Sequence, residues 1–309
     1  MPKILVSREP DDQSGVDLLS RFEDVEVLPY DPNNLELTAD QQRAEILVVS
    51  FRGSHRPIPL IPQLPHLQMV QLLSAGTDEW TPHVPADVVL ASARGGHAHS
   101  VSEWVLSAVL CLYRGWPALL DYQREGIWAH RQVDPETVTG KRALIIGAGH
   151  IGTASAERLR KMGATTTLVA STARDGVHGA DEIPNLIAGH DLVVIAAPIT
   201  PETRRLVDQK FLASMPDGAL LINAGRGEIV DTDALIAELR TGRLRAALDV
   251  TDPEPLPPGH PLFACPGVII SPHMSKNIPD TAQRCYGVAV QQIKTFLEGG
   301  VPSNIERRR

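Results

Sequence analysis

Residues 141–163 read KRALIIGAGHIGTASAERLRKMG, an aliphatic run that meets Gly147, Gly149 and Gly152 at G-x-G-x-x-G spacing and then passes into a helical pattern. Each glycine has a mechanical task in such a turn. Gly147 allows the tight bend, Gly149 lets the backbone approach a pyrophosphate, and Gly152 permits close packing of helix on strand. The helix N-terminus behind them supplies free N–H groups and a partial positive charge to phosphates. A glycine-rich turn can also be only a turn, so the context decides. The run TTTLVAS (165–171) follows the helix, which makes strand, turn, helix and strand one βαβ unit and a dinucleotide-binding element.

Working outward, short aliphatic or β-branched runs recur on both sides: KILVS, VEVLPY, EILVVS, LQMVQLL and VVLAS before residue 100, then ALIIG, TTTLVAS, DLVVIAA, GALLINA, RAALDV and GVIIS. Eleven such runs separated by helical periodicity predict an α/β protein with parallel sheets. Most lack strict alternation, as strands covered on both faces do. The architecture expected is doubly wound, twice over. A boundary is read near residue 100, where Ser100 and Glu103 have capping-box spacing and Trp104, Val105, Ala108, Val109 and Leu112 form an apolar helical face. A second follows Ser271-Pro272-His273, after which Asp280 to Glu298 reads as a helix ended by Gly299-Gly300 and returning to the first domain. The domains expected are therefore 1–99 with 276–309, and 100–275. Pro57 to Pro65 reads as a rigid connector in place of a helix, Ile305 to Arg309 as a solvated charged end, and Trp80, Trp104, Trp116 and Trp128 mostly as core.

The chain has 309 residues, 43% hydrophobic and 21% charged, which is a globular profile with room for two cores. The net charge of −8 argues against nucleic acid or anionic lipid as partners. Cys111, Cys265 and Cys285 are an odd three with no Cys-x-x-Cys pair, which fits neither a disulfide framework nor a zinc site, so no metal is expected. Neither a secretory h-region nor a run long enough to span a bilayer is read. A cytoplasmic location is the expectation.

Where NAD-binding folds end their second strand with an acid for the ribose hydroxyls, this chain has Ala170, then Ser171, Thr172 and Arg174. Two hydroxyls and a guanidinium suit a 2′-phosphate, which favours NADP over NAD. The alternative is that Arg174 points into solvent and Asp175 reaches the ribose. Beyond the turn, Arg226 follows the run GALLINA and has the fixed donors to grip a carboxylate, with Gly225 and Gly227 leaving room for it. Glu254 lies in a Pro-bracketed loop after RAALDV, and His273 follows GVIIS. A carboxylate beside an imidazole fixes its orientation and favours the charged ring, which suits proton donation to a carbonyl oxygen. Singly, each also reads as a surface cation, a loop acid and one histidine of 11; together, after successive strands, they read as a site.

The blocks LLSAGTD (72–78), SVSEWVL (100–106), GAGHIG (147–152), APITPETRRLVD (197–208), NAGRGEIVDTDAL (223–235), ALDVTDPEPLP (247–257) and SPH (271–273) resemble the D-isomer-specific 2-hydroxyacid dehydrogenase family over nearly the whole chain. The resemblance implies a Rossmann dinucleotide-binding domain inserted in a flavodoxin-like substrate domain, as a homodimer. It implies an oxidoreductase passing hydride between a nicotinamide cofactor and a small 2-oxoacid or 2-hydroxyacid, glyoxylate or hydroxypyruvate being the leading candidates. Arg226, Glu254 and His273 take the family's catalytic positions, and Ala75 and Gly76 offer backbone N–H groups to the substrate carboxylate. His150, Ile151, Pro198, Ala224 and Asp249 join the cofactor site, Asp249 accepting from the carboxamide. The same likeness leaves open phosphoglycerate, phosphite or a bulkier 2-hydroxyacid as substrate, and a non-catalytic nucleotide sensor. The segment MSKNIP after His273 departs from the family's small glycine-rich pattern.

Overall fold

The computed structural model describes residues 1–306. The chain divides into two compact units, Met1–His97 with the segment from Ile278 to the end of the described residues, and Ala98–Asn277.

The first unit opens with β1 (Lys3–Ser7), whose last four residues are buried because a parallel strand is covered on both faces. There follow α1 (Gln13–Leu19), β2 (Glu26–Tyr30), β3 (Ile46–Val48), β4 (Met69–Gln71) and β5 (Val89–Ala91). All pair in parallel in the order β2-β1-β3-β4-β5, the flavodoxin-like order, with its switch point between β1 and β3. The proline-rich stretch is not a plain connector: Ile58–Gln63 winds into a 3₁₀ helix, which Pro57 and Pro59 enter at its first turn, where a missing N–H costs nothing.

The second unit begins with α2 (Ala98–Tyr113) and α3 (Trp116–Arg124), then β6 (Arg142–Ile146), α4 (His150–Lys161), β7 (Thr165–Ala170) and β8 (His178–Gly179). It continues through α5 (Ile183–Leu186), β9 (Leu192–Ile195), α6 (Gln209–Ser214), β10 (Leu220–Asn223), α7 (Thr232–Arg240), β11 (Arg245–Leu248) and β12 (Val268–Ile270). Seven parallel strands lie in the order β12-β11-β10-β9-β6-β7-β8, reversing direction at β6 and β9. The helix α2 starts three residues earlier than the capping-box spacing predicts. Ser100 is therefore buried inside the first turn, while Glu103 is exposed within 4.0 Å of Arg158. Its apolar face packs on the sheet through Val105, Ala108, Val109 and Leu112. Each of the eleven apolar runs forms a strand; β8, two residues long, has no hydrophobic pattern to announce it.

The final helix α8 (Thr281–Leu297) belongs to the first unit and packs against α1. Cys285, Tyr286, Ala289 and Ile293 enter the same core as Ile4, Val6 and Ile46. Tyr286 donates its hydroxyl to Asp12 Oδ1 at 3.0 Å, and burial pushes the Asp12 carboxyl above its usual range. After Gly299, in the left-handed region at φ 77, the chain runs beside β5: Ser92 N donates to Asn304 O and Glu306 N to Leu90 O. Ile305 and Glu306 are thus docked on the sheet edge rather than solvated, which blunts the outer strand; the three terminal arginines lie outside the described residues. Trp80 is buried and Trp104 half-buried, but Trp116 and Trp128 are 51% and 89% exposed, contrary to their reading as core.

Among the described residues, no helix is long and apolar enough to cross a membrane and no three His, Cys, Asp or Glu side chains group as metal ligands. The three cysteines are free thiols.

Candidate functional site

In the second unit every residue singled out by the sequence lies at the carboxyl ends of the strands. The backbone ladder continues past those ends and aligns the loops. Gly147 N donates to Val169 O, Ala196 N to Ile146 O, Ala224 N to Ile195 O, Asp249 N to Asn223 O and Ser271 N to Leu248 O, each at 2.8 to 3.0 Å. Adjacent strands thereby deliver the glycine-rich turn, the Pro198 loop, Arg226, Glu254 and His273 to one edge, the place where open α/β sheets bind ligands.

The three glycines of the turn separate into two kinds. A Cβ on Gly147, whose φ is +110, would fall 2.5 Å from the Ala196 carbonyl, and one on Gly152 would fall 1.8 Å from the Gly147 oxygen. Both places are filled by the protein's own backbone. At Gly149 a Cβ would meet nothing within 4 Å. Gly149 is also the N-cap of α4, extended and without a side-chain cap, so the first N–H groups of a twelve-residue helix begin at open space. His150 and Ile151 are the first two residues of that helix. A bare helix N-terminus behind a position with room for a phosphate fits a dinucleotide.

Around it, Ala170 ends β7, with Ser171 and Thr172 exposed beyond it. Arg174 is exposed but laid back on the glycine-rich turn: its Nη2 donates to the Ala148 carbonyl at 3.0 Å. Arg174 and Val177 exchange backbone bonds of 2.9 and 2.8 Å, a tight turn whose exposed tip holds Asp175. Pro198 follows β9, and Thr203 Oγ1 donates to its carbonyl at 2.7 Å, so the Thr200–Thr203 turn holds that loop.

Arg226 is carried by a stiffened bend. Asn223, 1% exposed, donates from Nδ2 to the Arg226 carbonyl at 2.9 Å and accepts from Gly225 N at 3.1 Å, while Arg226 Nη1 donates to Gly225 O at 2.9 Å. The flanking glycines do not leave room for a ligand, as the sequence reading had it. A Cβ on Gly225 would fall 2.7 Å from Ala197 O, and one on Gly227 1.9 Å from Thr251 O, so the space is taken by neighbouring backbone. Ala224, half-buried, sits between Asn223 and this bend.

His273 and Glu254 meet: the ring donates from Nδ1 to Glu254 Oε1 at 2.7 Å, with both side chains about two-fifths exposed at 40% and 41%. His273 holds φ +53, a left-handed conformation rare for a side chain of this size and characteristic of positions the surroundings over-determine. What determines it is Asp249. This 2%-exposed carboxylate accepts at Oδ1 from Ser271 Oγ (2.5 Å), Met274 N (2.8 Å) and Ser275 N (3.0 Å), and at Oδ2 from Ser275 N (3.1 Å). The Asp249 backbone carbonyl also takes His273 N at 2.8 Å. Those bonds make the Asp249 carboxylate the clamp of the 271–275 loop, at the strand end where the resemblance places it beside the cofactor. The MSKN departure is part of that clamp, with Met274 N and Ser275 N as donors and the Met274 side chain 50% exposed. Asn223 and Ser271 are the residues that sequence reasoning missed; both stood in quoted blocks as polar residues at strand ends, which was the available signal.

In the first unit, Ala75 and Gly76 follow β4 at the carboxyl edge of their own sheet. Both are half-buried, and among the described residues neither N–H meets an acceptor. Ser74 Oγ donates to Gly76 O at 2.7 Å and shapes the bend. Two unpaired backbone donors side by side suit an anion.

Residues 106–275 match the family model described as D-isomer specific 2-hydroxyacid dehydrogenase, NAD binding domain. The chain is 28% identical to a glyoxylate reductase of Aeropyrum pernix, over 99% of this chain and 96% of the relative. It is 26% identical to a D-3-phosphoglycerate dehydrogenase of Methanocaldococcus jannaschii, over 99% of this chain but 59% of that longer protein. Among solved structures it is similar to a D-isomer specific 2-hydroxyacid dehydrogenase from Xanthobacter autotrophicus Py2, crystallised with NADPH and MES, with a TM-score of 0.84, 29% identity and coverage of 99% and 98% of the two chains.

Proposed function

The chain belongs to the D-isomer specific 2-hydroxyacid dehydrogenase family, and from that premise we propose that it reduces a small 2-oxoacid, glyoxylate or hydroxypyruvate first, with NADPH as the preferred cofactor. The observation that carries this reading is the Glu254–His273 pair on the sheet edge that also bears Arg226 and the glycine-rich turn. A bound nicotinamide dinucleotide supplies the hydride. The protein does the rest. Arg226 binds the substrate carboxylate with its planar fork and polarises the neighbouring carbonyl. His273, its Nδ1–H fixed on Glu254, presents Nε2 to the carbonyl oxygen and gives it a proton; in the reverse direction the same nitrogen takes the hydroxyl proton. Glu254 sets the orientation of the ring through that hydrogen bond. Ala75 and Gly76 are proposed as backbone donors to a carboxylate, and Gly147, Gly149, His150, Ile151, Gly152, Pro198, Ala224 and Asp249 as the cofactor's surroundings.

The test is loss of reduced-nicotinamide absorbance with a panel of 2-oxoacids, run with NADPH and NADH. Turnover with glyoxylate or hydroxypyruvate is expected. Cofactor binding without turnover of any 2-oxoacid would replace this reading with that of a nucleotide sensor.

Preference for NADPH rests on the missing acid at Ala170 and on Ser171, Thr172 and Arg174. The Arg174 guanidinium, already laid on the turn at the Ala148 carbonyl, is the cation for a 2′-phosphate. Ala170→Asp places a carboxylate where that phosphate would lie and should move the NADPH-to-NADH ratio of kcat/KM toward NADH by ~10–100-fold, the worth of a charged hydrogen bond. An unmoved ratio would take the ribose site away from the end of β7.

We also propose a homodimer. Trp116, Leu120, Ile127 and Trp128 stand 39–89% exposed on α3 and the segment after it, more apolar surface than a lone soluble domain tends to leave in one place. Sedimentation equilibrium should give twice the 33.5 kDa chain mass, and Trp128→Glu should move it toward one. A natural protein that sediments as a single chain would end the proposal.

A further inference from the structure

The loops after β1, β3 and β4 lie side by side at the carboxyl edge of the first unit's sheet, because those strands are neighbours. They are also tied together: Trp80 Nε1 donates to Ser54 O at 3.2 Å, and Ser54 Oγ to Glu79 Oε2 at 3.2 Å. The β3 loop, with Arg52 and Arg56, is thereby fixed against the loop that carries Ala75 and Gly76. A guanidinium here is the natural receptor for a second anionic group on a substrate whose carboxylate those N–H groups take.

The cations of the β1 and β3 loops are, however, each matched with an acid. Arg8 Nη2 lies 2.6 Å from Asp31. Arg56 is held by Glu9 in a two-pronged pair of 2.9 and 2.6 Å and also donates to Asn33 Oδ1 and the Arg52 carbonyl. Arg52, the most exposed of the three at 73%, is paired through Nε with Asp11, with its Nη2 3.5 Å from the other Asp11 oxygen. Glu9 and Asp11 come from one short segment, Glu9–Asp12, that runs from β1 into α1. Glu9 locks the half-buried cation, and Asp11 covers the exposed one. Arg94 lies apart from this set, in the loop after the outer strand β5.

We propose that Asp11 is a specificity-determining residue that neutralises Arg52 and so turns the protein away from 2-oxoacids bearing a second anionic group, a phosphate ester above all, and toward those with a hydrogen or hydroxyl in its place. This rests on the reading of the chain as a 2-oxoacid reductase and names the substrate class within it. Asp11 touches no reacting atom; it acts through Arg52. A phosphate dianion entering here must displace a carboxylate already in place, whereas a hydroxyl displaces nothing.

The experiment compares kcat/KM for hydroxypyruvate and for its 3-phosphate ester in four proteins: the natural chain, Asp11→Asn, Arg52→Ala and the double variant. Asp11→Asn should raise the ratio of phosphorylated to unphosphorylated substrate by about tenfold, the order expected when one exposed charge is unmasked, with little change for hydroxypyruvate itself. The double variant should return the ratio to that of the natural chain, and Arg52→Ala alone should leave it nearly where it was. An unmoved ratio in Asp11→Asn, an equal loss on both substrates, or a gain that survives removal of Arg52 would each overturn the proposal while leaving the reductase reading intact. A natural chain that turns over neither substrate nor glyoxylate would overturn the reading beneath it, and the proposal with it.

Discussion

Replacing His273 by alanine should lower turnover of the preferred 2-oxoacid by ~10²–10⁴, the usual contribution of a positioned acid–base group. The size of the effect follows from how completely the residue is prepared. Its Nδ1 is committed to Glu254 at 2.7 Å, so only Nε2 is left for proton transfer. Its backbone is held at φ +53 by the Asp249 carbonyl and by the loop that the Asp249 carboxylate clamps. His178, which also rests on a carboxylate at Glu182, lies on β8 at the opposite edge of the sheet and does not stand in for His273. The cofactor turn lies on the same sheet edge but on β6, separated from β12 by β9, β10 and β11. The dissociation constant for the dinucleotide should therefore change little, and fluorescence titration beside steady-state kinetics separates the two effects. Turnover within a few-fold of the natural protein would remove His273 from proton transfer.

Arg226→Lys should reduce kcat/KM by ~10²–10³, the loss typical when one preorganised charged donor is removed, with KM rising and kcat falling together. The bend that carries residue 226 is set by Asn223 and by glycines packed against Ala197 and Thr251, none of which the substitution disturbs. The change thus isolates the head group. A lysine keeps the charge but presents a point where the guanidinium presents a plane with fixed donors, one of which already rests on the Gly225 carbonyl at 2.9 Å. The carboxylate would still be attracted, but its neighbouring carbonyl would lose alignment with His273. Near-normal kinetics would take Arg226 out of the substrate site.

These arguments draw on two kinds of information. The glycine-rich turn was legible because its requirements are local: within twelve residues a strand must end, a chain must bend at positive φ, and a helix must pack against the bend. Buried parallel strands were legible for the same reason, since five or six aliphatic residues in a row have no solvent face. Even the order Arg226, Glu254, His273 was readable, because each follows a strand and parallel strands bring their ends to one edge.

What could not be read were the partners of polar groups. Asp249 is separated by 22 residues from the Ser271 hydroxyl it accepts, and Arg52 by 41 from Asp11. Nothing in either segment alone says which acid will answer which donor. Trp116 and Trp128 show the same limit for apolar groups, since hydrophobicity states what a side chain prefers and not whether this chain covers it. Gly227 shows it for small ones: its lack of a side chain was evident, but that a carbonyl from residue 251 occupies the space was not. The sequence by itself determined the two parallel α/β sheets, the dinucleotide turn and the three chemical groups at the strand ends, because periodicity and turn chemistry act over neighbouring residues. Only the tertiary structure decided that Asp249 clamps the histidine loop, that Asn223 shapes the arginine bend and that Asp11 masks Arg52, because burial and pairing depend on which distant segments the folded strands bring side by side.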